Sequence, residues 1–186
     1  MPTLALSKAY SPVHKIDGGW FARLVTAGAR WVSAHREELN RINVFPVVDG
    51  DTGTNMAATL RAVAKSIQSS GGVSLPATAR AAAEGCLMGA RGNSGMILCH
   101  VFSSLAAGIG EQESLEPREL VRILRTASAD LYRALETPVE GTILTVLRES
   151  CAKSELDECA DLEHMIAVLV REARSSLERT PDQLEV

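Results

Sequence analysis

Apolar residues recur along most of this chain at intervals of three and four, the period of a helix that turns one face inward. Ile16, Trp20, Leu24, Ala27 and Trp31 return near every fourth position, and Leu162, Met165, Ile166, Leu169, Val170, Ala173 and Leu177 do so towards the end. Met56, Leu60, Val63, Ala64 and Ile67 trace a third stripe. The pattern predicts seven helices, near 16–40, 53–69, 75–88, 94–109, 117–136, 142–153 and 161–178. Little of the chain has the period of a strand, so the fold class is all-α. Pro117 suits a first helical position and Asp161 an N-cap. Trp20 and Trp31 share the apolar face of the first helix and are expected in the core.

Three breaks in the pattern carry the chemistry. The first, Asn43 to Met56, reads NVFPVVDGDTGTNM. Asp49 and Asp51 sit two residues apart across Gly50, in a turn that lets their carboxylates converge. Magnesium prefers such oxygen ligands and usually takes one or two carboxylates plus phosphate oxygens. A helix follows at once, and its free N–H groups and dipole favour an anion, with Thr52, Thr54 and Asn55 adding hydrogen-bonding capacity. The second break, GARGNSG at 89–95, opens another apolar helix, with Ser94 as a cap or phosphate donor and Arg91 as a fixed positive charge. It matches neither GxxxxGK[ST] nor GxGxxG. The third, Thr137-Pro138-Val139-Glu140-Gly141-Thr142, also precedes a helix. Each has a plainer reading: a polar turn with an N-cap, a C-cap followed by an N-cap, and an interhelical turn. Together they would form a composite pocket at one end of a helical bundle.

NVFPVVDGDTGTNM, GARGNSGMIL and TPVEGTILTVLRE, in this order, resemble the N-terminal ATP-binding domain of bacterial fatty acid kinase. That domain is similar to the ADP-binding L subunit of dihydroxyacetone kinase. The resemblance runs from about Ile16 to the C-terminus and implies an antiparallel barrel or bundle of seven to eight amphipathic helices. ATP or ADP and two magnesium ions would be held by the loops at one end. It further implies that Asp49 and Asp51 bind metal, with Asn43 approaching the metals where the dihydroxyacetone kinase relatives have a further aspartate. Gly53, Thr54 and Asn55 correspond to a phosphate-facing helix start, Asn93, Ser94 and Gly95 to the second phosphate loop, and Thr142 to the third. Val48 stands where a proline is usual, which alters turn stiffness rather than ligand chemistry. The implied reaction is phosphoryl transfer to a fatty acid carboxylate carried by a separate binding protein. Alternatives are a dihydroxyacetone-kinase-like subunit acting on a small ketose and a noncatalytic ADP/ATP-binding regulatory module. No catalytic base or nucleophile is assigned.

Within that resemblance residues 1–15 read as a loose lead-in and 16–186 as the nucleotide-binding domain. The final TPDQLEV resembles the approach to a further helix, so a last helix and downstream kinase domains are expected beyond it. The oligomeric states it admits include a homodimer. Composition narrows the rest. A net charge of −4 gives no reason to expect nucleic acid binding, and no apolar run has membrane-spanning length. Met1 to Val13 lacks the pattern of a signal peptide, so a cytoplasmic protein is expected. Cys86, Cys99, Cys151 and Cys159 show no Cys-x-x-Cys spacing, which argues for reduced thiols and against zinc. A lone helical His100 reads as structural.

Overall fold

The computed structural model of this protein describes residues 12–71 and 74–184. Its helices are α1 (Gly18–Ala34), α2 (Arg36–Arg41), α3 (Thr52–Ser69), α4 (Leu75–Gly89), α5 (Gly92–Ile109), α6 (Pro117–Ala134), α7 (Ile143–Ala152) and α8 (Leu162–Arg179). Most starts have a local cause. The side chains of Asp17, Ser74, Thr142 and Asp161 accept from the N–H groups of Trp20, Ala77, Leu144 and His164, each satisfying a donor that the helix leaves free. α6 opens with Pro117 and a reciprocal box between Glu116 and Glu119. Asp51 and Arg91 stand at the N-caps of α3 and α5 without capping them by side chain.

α3 is the central packing element, touching α1, α2, α4 and α5, after which α4 to α8 pack successively. Its buried face, Ala57, Leu60, Val63 and Ile67, follows the stripe predicted from periodicity. Burying each of the larger side chains contributes on the order of 1.5–3 kcal/mol. One core joins this face to Phe21 of α1, Phe102 and Ile109 of α5, Val121 of α6 and Met165 of α8. The result is the all-α bundle that the period predicts. Among the described residues no helix is long and apolar enough to cross a membrane. All four cysteines are buried and free. Burial pushes the thiols of Cys86, Cys151 and Cys159 up, which leaves them inert packing groups.

Several expectations need correction. The helix predicted over 16–40 is two helices, because His35 leaves helical geometry at φ −101°, ψ 15° and its ring nitrogen meets the Trp31 carbonyl at 2.9 Å. Ile16 lies before α1, where it pairs with Leu115 in an isolated antiparallel bridge and is fully buried. Trp31 is not a core residue: it is 69% exposed and rests on the His35 ring, with centroids 4.3 Å apart. Leu177 and Val170 are likewise exposed. Periodicity assigns a face, but only a neighbouring element can cover it. Trp20 is half-buried against the core, with the Arg23 guanidinium 3.9 Å from its ring centre.

The lead-in expected at 1–15 lies outside the described residues up to position 11. Beyond that, Val13 is hydrogen-bonded to the start of α8. Val13 N–H donates to the Asp161 carboxylate at 2.9 Å, and Leu162 N–H donates to the Val13 carbonyl at 2.9 Å. Asp161 therefore caps α8 and anchors the start of the domain together.

Candidate functional site

The loop between α2 and α3 has one buried residue, Asn43. Its amide nitrogen donates to the Val47 carbonyl at 2.8 Å. Its amide oxygen accepts from the N–H groups of Asp51 and Thr52, both at 3.3 Å, and from the Thr52 hydroxyl at 2.9 Å. One side chain thus closes the loop on itself and satisfies the first N–H of α3. Asn40, three residues earlier, accepts from Thr54 N–H and donates to the Thr54 hydroxyl, both at 3.0 Å. Two asparagines do what Asp51 does not, and the Asp51 carboxylate is left out of the capping.

Asp49 and Asp51 are both exposed, and among the described residues neither carboxylate has a hydrogen bond or ion pair. They line a recess of about 180 Å³ with Asn43, Thr52, Asn55, Gly92, Asn93 and Ser94. The first and second predicted loops therefore meet. α5 begins two residues earlier than expected, at Gly92, so Asn93 and Ser94 form its first turn instead of a loop before it. Since no side chain caps this start, the N-terminal N–H groups of α5 remain the open anion-favouring end. Gly92 adopts φ +59°, and a Cβ there would come within 2.6 Å of the Asn55 amide nitrogen. Glycine lets Asn55 close the floor of the recess.

An apolar cavity of about 510 Å³ adjoins this recess and shares Phe45, Pro46, Thr52, Asn93 and Ser94 with it. Met56, Ile97, Leu135, Ile143 and Leu184 supply further apolar wall, and Val139, Gly141 and Thr142 bring in the third loop. All three predicted loops converge at one end of the bundle.

The third loop has its own lock. Gly141 N–H donates to the Thr145 hydroxyl at 2.9 Å, and that hydroxyl donates to Glu140 at 2.5 Å. Arg148 grips both Glu140 oxygens, at 2.5 and 2.9 Å, and the Tyr132 hydroxyl joins at 3.2 Å. The Thr142 hydroxyl donates to Val139 O while accepting from Leu144 N–H, so it shapes the loop and caps α7. Arg148 holds the Glu140 carboxyl at about 2, against an ordinary 4.5, with Thr145 and Tyr132 helping and burial opposing. The folded value is the lower one, so this contribution is complete above pH 4.5 and is lost as pH falls towards 2. Both side chains are nearly half exposed, at 47% and 45%, which limits the contribution to about 1 kcal/mol or less. Glu140→Gln should lower stability at neutral pH by that amount, with the difference from the parent closing in acid unfolding between pH 4.5 and 2. A difference independent of pH would show that charge is not what holds the loop.

Other predicted residues take different places. Gly53 is buried where a Cβ would overlap the Arg36 carbonyl oxygen, so it admits α2 against α3. Thr54 is held by Asn40 and lines neither cavity. Gly95 is buried, its Cβ position 2.7 Å from the Thr59 hydroxyl. Asn43 was expected to approach metal, yet its oxygen already accepts from three donors in the loop. Arg91 lines neither cavity; its guanidinium turns back to the Ala90 carbonyl at 3.0 Å. His100 lies within α5 away from both. Sequence reasoning passed over Asn40, Thr59 and the Glu140 lock. The Asn40-x-x-Asn43 spacing just before an uncapped helix was the one available signal.

The donor set suits magnesium. Two carboxylates that have no protein partner among the described residues share a recess with an uncapped helix start, and a magnesium ion held there would take its remaining oxygens from water and phosphate. Among the described residues there is no group of three or more acidic, histidine or cysteine side chains that would form an all-protein cage.

Comparison with known proteins agrees in family. Residues 46–186 match the DAK2 domain. An uncharacterized protein of Staphylococcus saprophyticus is 36% identical over 176 residues, and protein YloV of Bacillus subtilis is 35% identical over the same length. An uncharacterized protein of Staphylococcus aureus strain USA300 is 32% identical. Each alignment covers 94% of this chain but 32% of the relative, so the chain spans about a third of the length of the curated relatives it matches. With a match over most of its length, the chain belongs to the DAK2 domain family, a kinase-related group similar to the L subunit of dihydroxyacetone kinase.

Proposed function

We propose that this chain is the magnesium- and ATP-binding domain of a phosphotransferase. The observation that carries this reading is the convergence of two unpartnered carboxylates, the uncapped start of α5 and an apolar cavity at one end of the bundle. Asp49 and Asp51 would hold the metal, whose charge when bound offsets that of the phosphates. The first N–H groups of α5, with Asn93 and Ser94, would receive the phosphates. The cavity bounded by Phe45, Met56, Ile97 and Leu144 is suited to the base. Asn43 and the Glu140 lock hold the first and third loops in place, so the protein contributes positioning and electrostatics.

The acceptor we favour is a fatty acid carboxylate presented by a separate binding protein. Its oxygen would bond to the γ-phosphorus as the bond to the bridging oxygen breaks, giving an acyl phosphate and ADP. A carboxylate is already deprotonated at neutral pH and needs no base. The relatives' greater length leaves room for acceptor-handling parts outside this region. The DAK2 match itself favours a second reading, transfer to a small ketose. Calorimetry tests the core claim: ATP should bind this chain only with magnesium, and equal affinity with and without it would overturn the proposal. Hydroxylamine trapping of an acyl phosphate, in the longer protein with a lipid-loaded partner, separates the two acceptors.

A further inference from the structure

A groove of about 590 Å³ runs between α1 and α3, lined by Arg30, Arg61 and Lys65 together with Thr26 and Gln68. Its apolar walls are small, Ala22 and Ala64, and the buried side of Ile67 lies beneath. Among the described residues none of these three cationic groups has a hydrogen bond or ion pair. Neither α1 nor α3 contains an acidic residue, although the chain as a whole has 23 acidic to 19 basic side chains. Arg23 extends the same positive surface, lining an adjoining depression with Arg30 while stacked on Trp20.

This surface is separate from the carboxylate recess. Arg61 and Lys65 lie 10 and 14 residues beyond Asp51, which at 1.5 Å per helical residue is about 15 and 21 Å along α3. Three cations sharing one groove repel one another, and an anion with two or more charges relieves that repulsion. Guanidinium forks match phosphate oxygens, while the Thr26 hydroxyl and Gln68 amide can add neutral donors. The small walls leave more room than a phosphate fills, within the range of small-ligand sites.

We infer that the α1–α3 groove binds a compound bearing a multiply charged phosphate group, at a site distinct from the Asp49–Asp51 recess. Inorganic pyrophosphate, titrated with EDTA present so that no divalent ion serves the recess, is the probe. The parent chain and an Asp49→Asn/Asp51→Asn variant should bind it alike, and the affinity should fall with added salt. Arg61→Gln/Lys65→Gln should weaken binding by roughly tenfold or more, with thermal unfolding unchanged, because its charge-assisted bonds are lost while the exposed positions carry no packing. Absence of saturable binding in the Asp49→Asn/Asp51→Asn variant, or undiminished binding in Arg61→Gln/Lys65→Gln, would overturn the assignment. Binding undiminished in Arg61→Gln/Lys65→Gln would place the anion at the open start of α5 instead, and the proposed ATP site is tested separately by its magnesium dependence.

Discussion

Asp49→Asn/Asp51→Asn should lower magnesium-dependent ATP affinity by roughly a hundredfold or more, since changes even to outer-shell groups of metal sites commonly cost 10- to 100-fold. The fold should be untouched. Both side chains are exposed and, among the described residues, neither carboxylate is hydrogen-bonded or ion-paired. A change at such positions shifts stability by about 0.5 kcal/mol or less, and removing two neighbouring negative charges favours the variant. Calorimetry beside a thermal melt separates the quantities. Lost binding with an unshifted melt supports a metal-binding role, whereas retained magnesium-dependent binding would remove both residues from the site.

Asn43→Ala should act in the opposite order, on structure first and on binding through it. The substitution strips four hydrogen bonds from a side chain that is 8% exposed. It leaves the Asp51 and Thr52 N–H groups and the Val47 carbonyl to find other partners. Leaving buried polar groups unpaired costs about 1–3 kcal/mol each, but this loop can open to water, so about 1–3 kcal/mol in total is expected. That lowers the melting temperature by a few degrees in a domain of this size. Amide hydrogen exchange should accelerate at Asp51 and Thr52 and stay slow at Val63 in the core. Nucleotide affinity should fall as well, because Asp51 would no longer be held beside α5. Unchanged exchange at both amides would show that Asn43 does not clamp the loop.

The helices were readable because burying one face imposes a period that survives in one dimension. The buried face of α3, the cap at Asp161 and the proline start of α6 are all local signals, complete within a few residues. Trp31 was misplaced for the same reason. A stripe predicts which way a residue points, but the exposure of Trp31 depends on where neighbouring helices stop. The break at His35 was hidden because no proline or glycine marks it.

At the site, the chemistry of the groups was legible and their employment was not. Asp49, Asp51 and Ser94 could be named from their chemistry and spacing and Asn93 through the family resemblance, and the fold brings them to one recess. Thr54 and Gly53 looked equally suited to phosphate, yet one is held by Asn40 and the other admits α2. Which donors remain free after folding depends on partners many residues away, and no local window contains them.

By itself, then, the sequence determined an all-α chain, the capped starts of α6 and α8 and three polar loops carrying carboxylate and hydroxyl oxygens, since each follows from periodicity or from neighbours along the backbone. Only the tertiary structure decided that the loops share one end, that Asn43 and Asn40 satisfy α3 while α5 stays open, and that an apolar cavity joins them. Those outcomes rest on the placement of residues distant in sequence, such as Asp51 and Asn93 lining one recess and Gly141 lying against Leu184 at the far wall. Burial and hydrogen-bond competition settle them after the helices have formed.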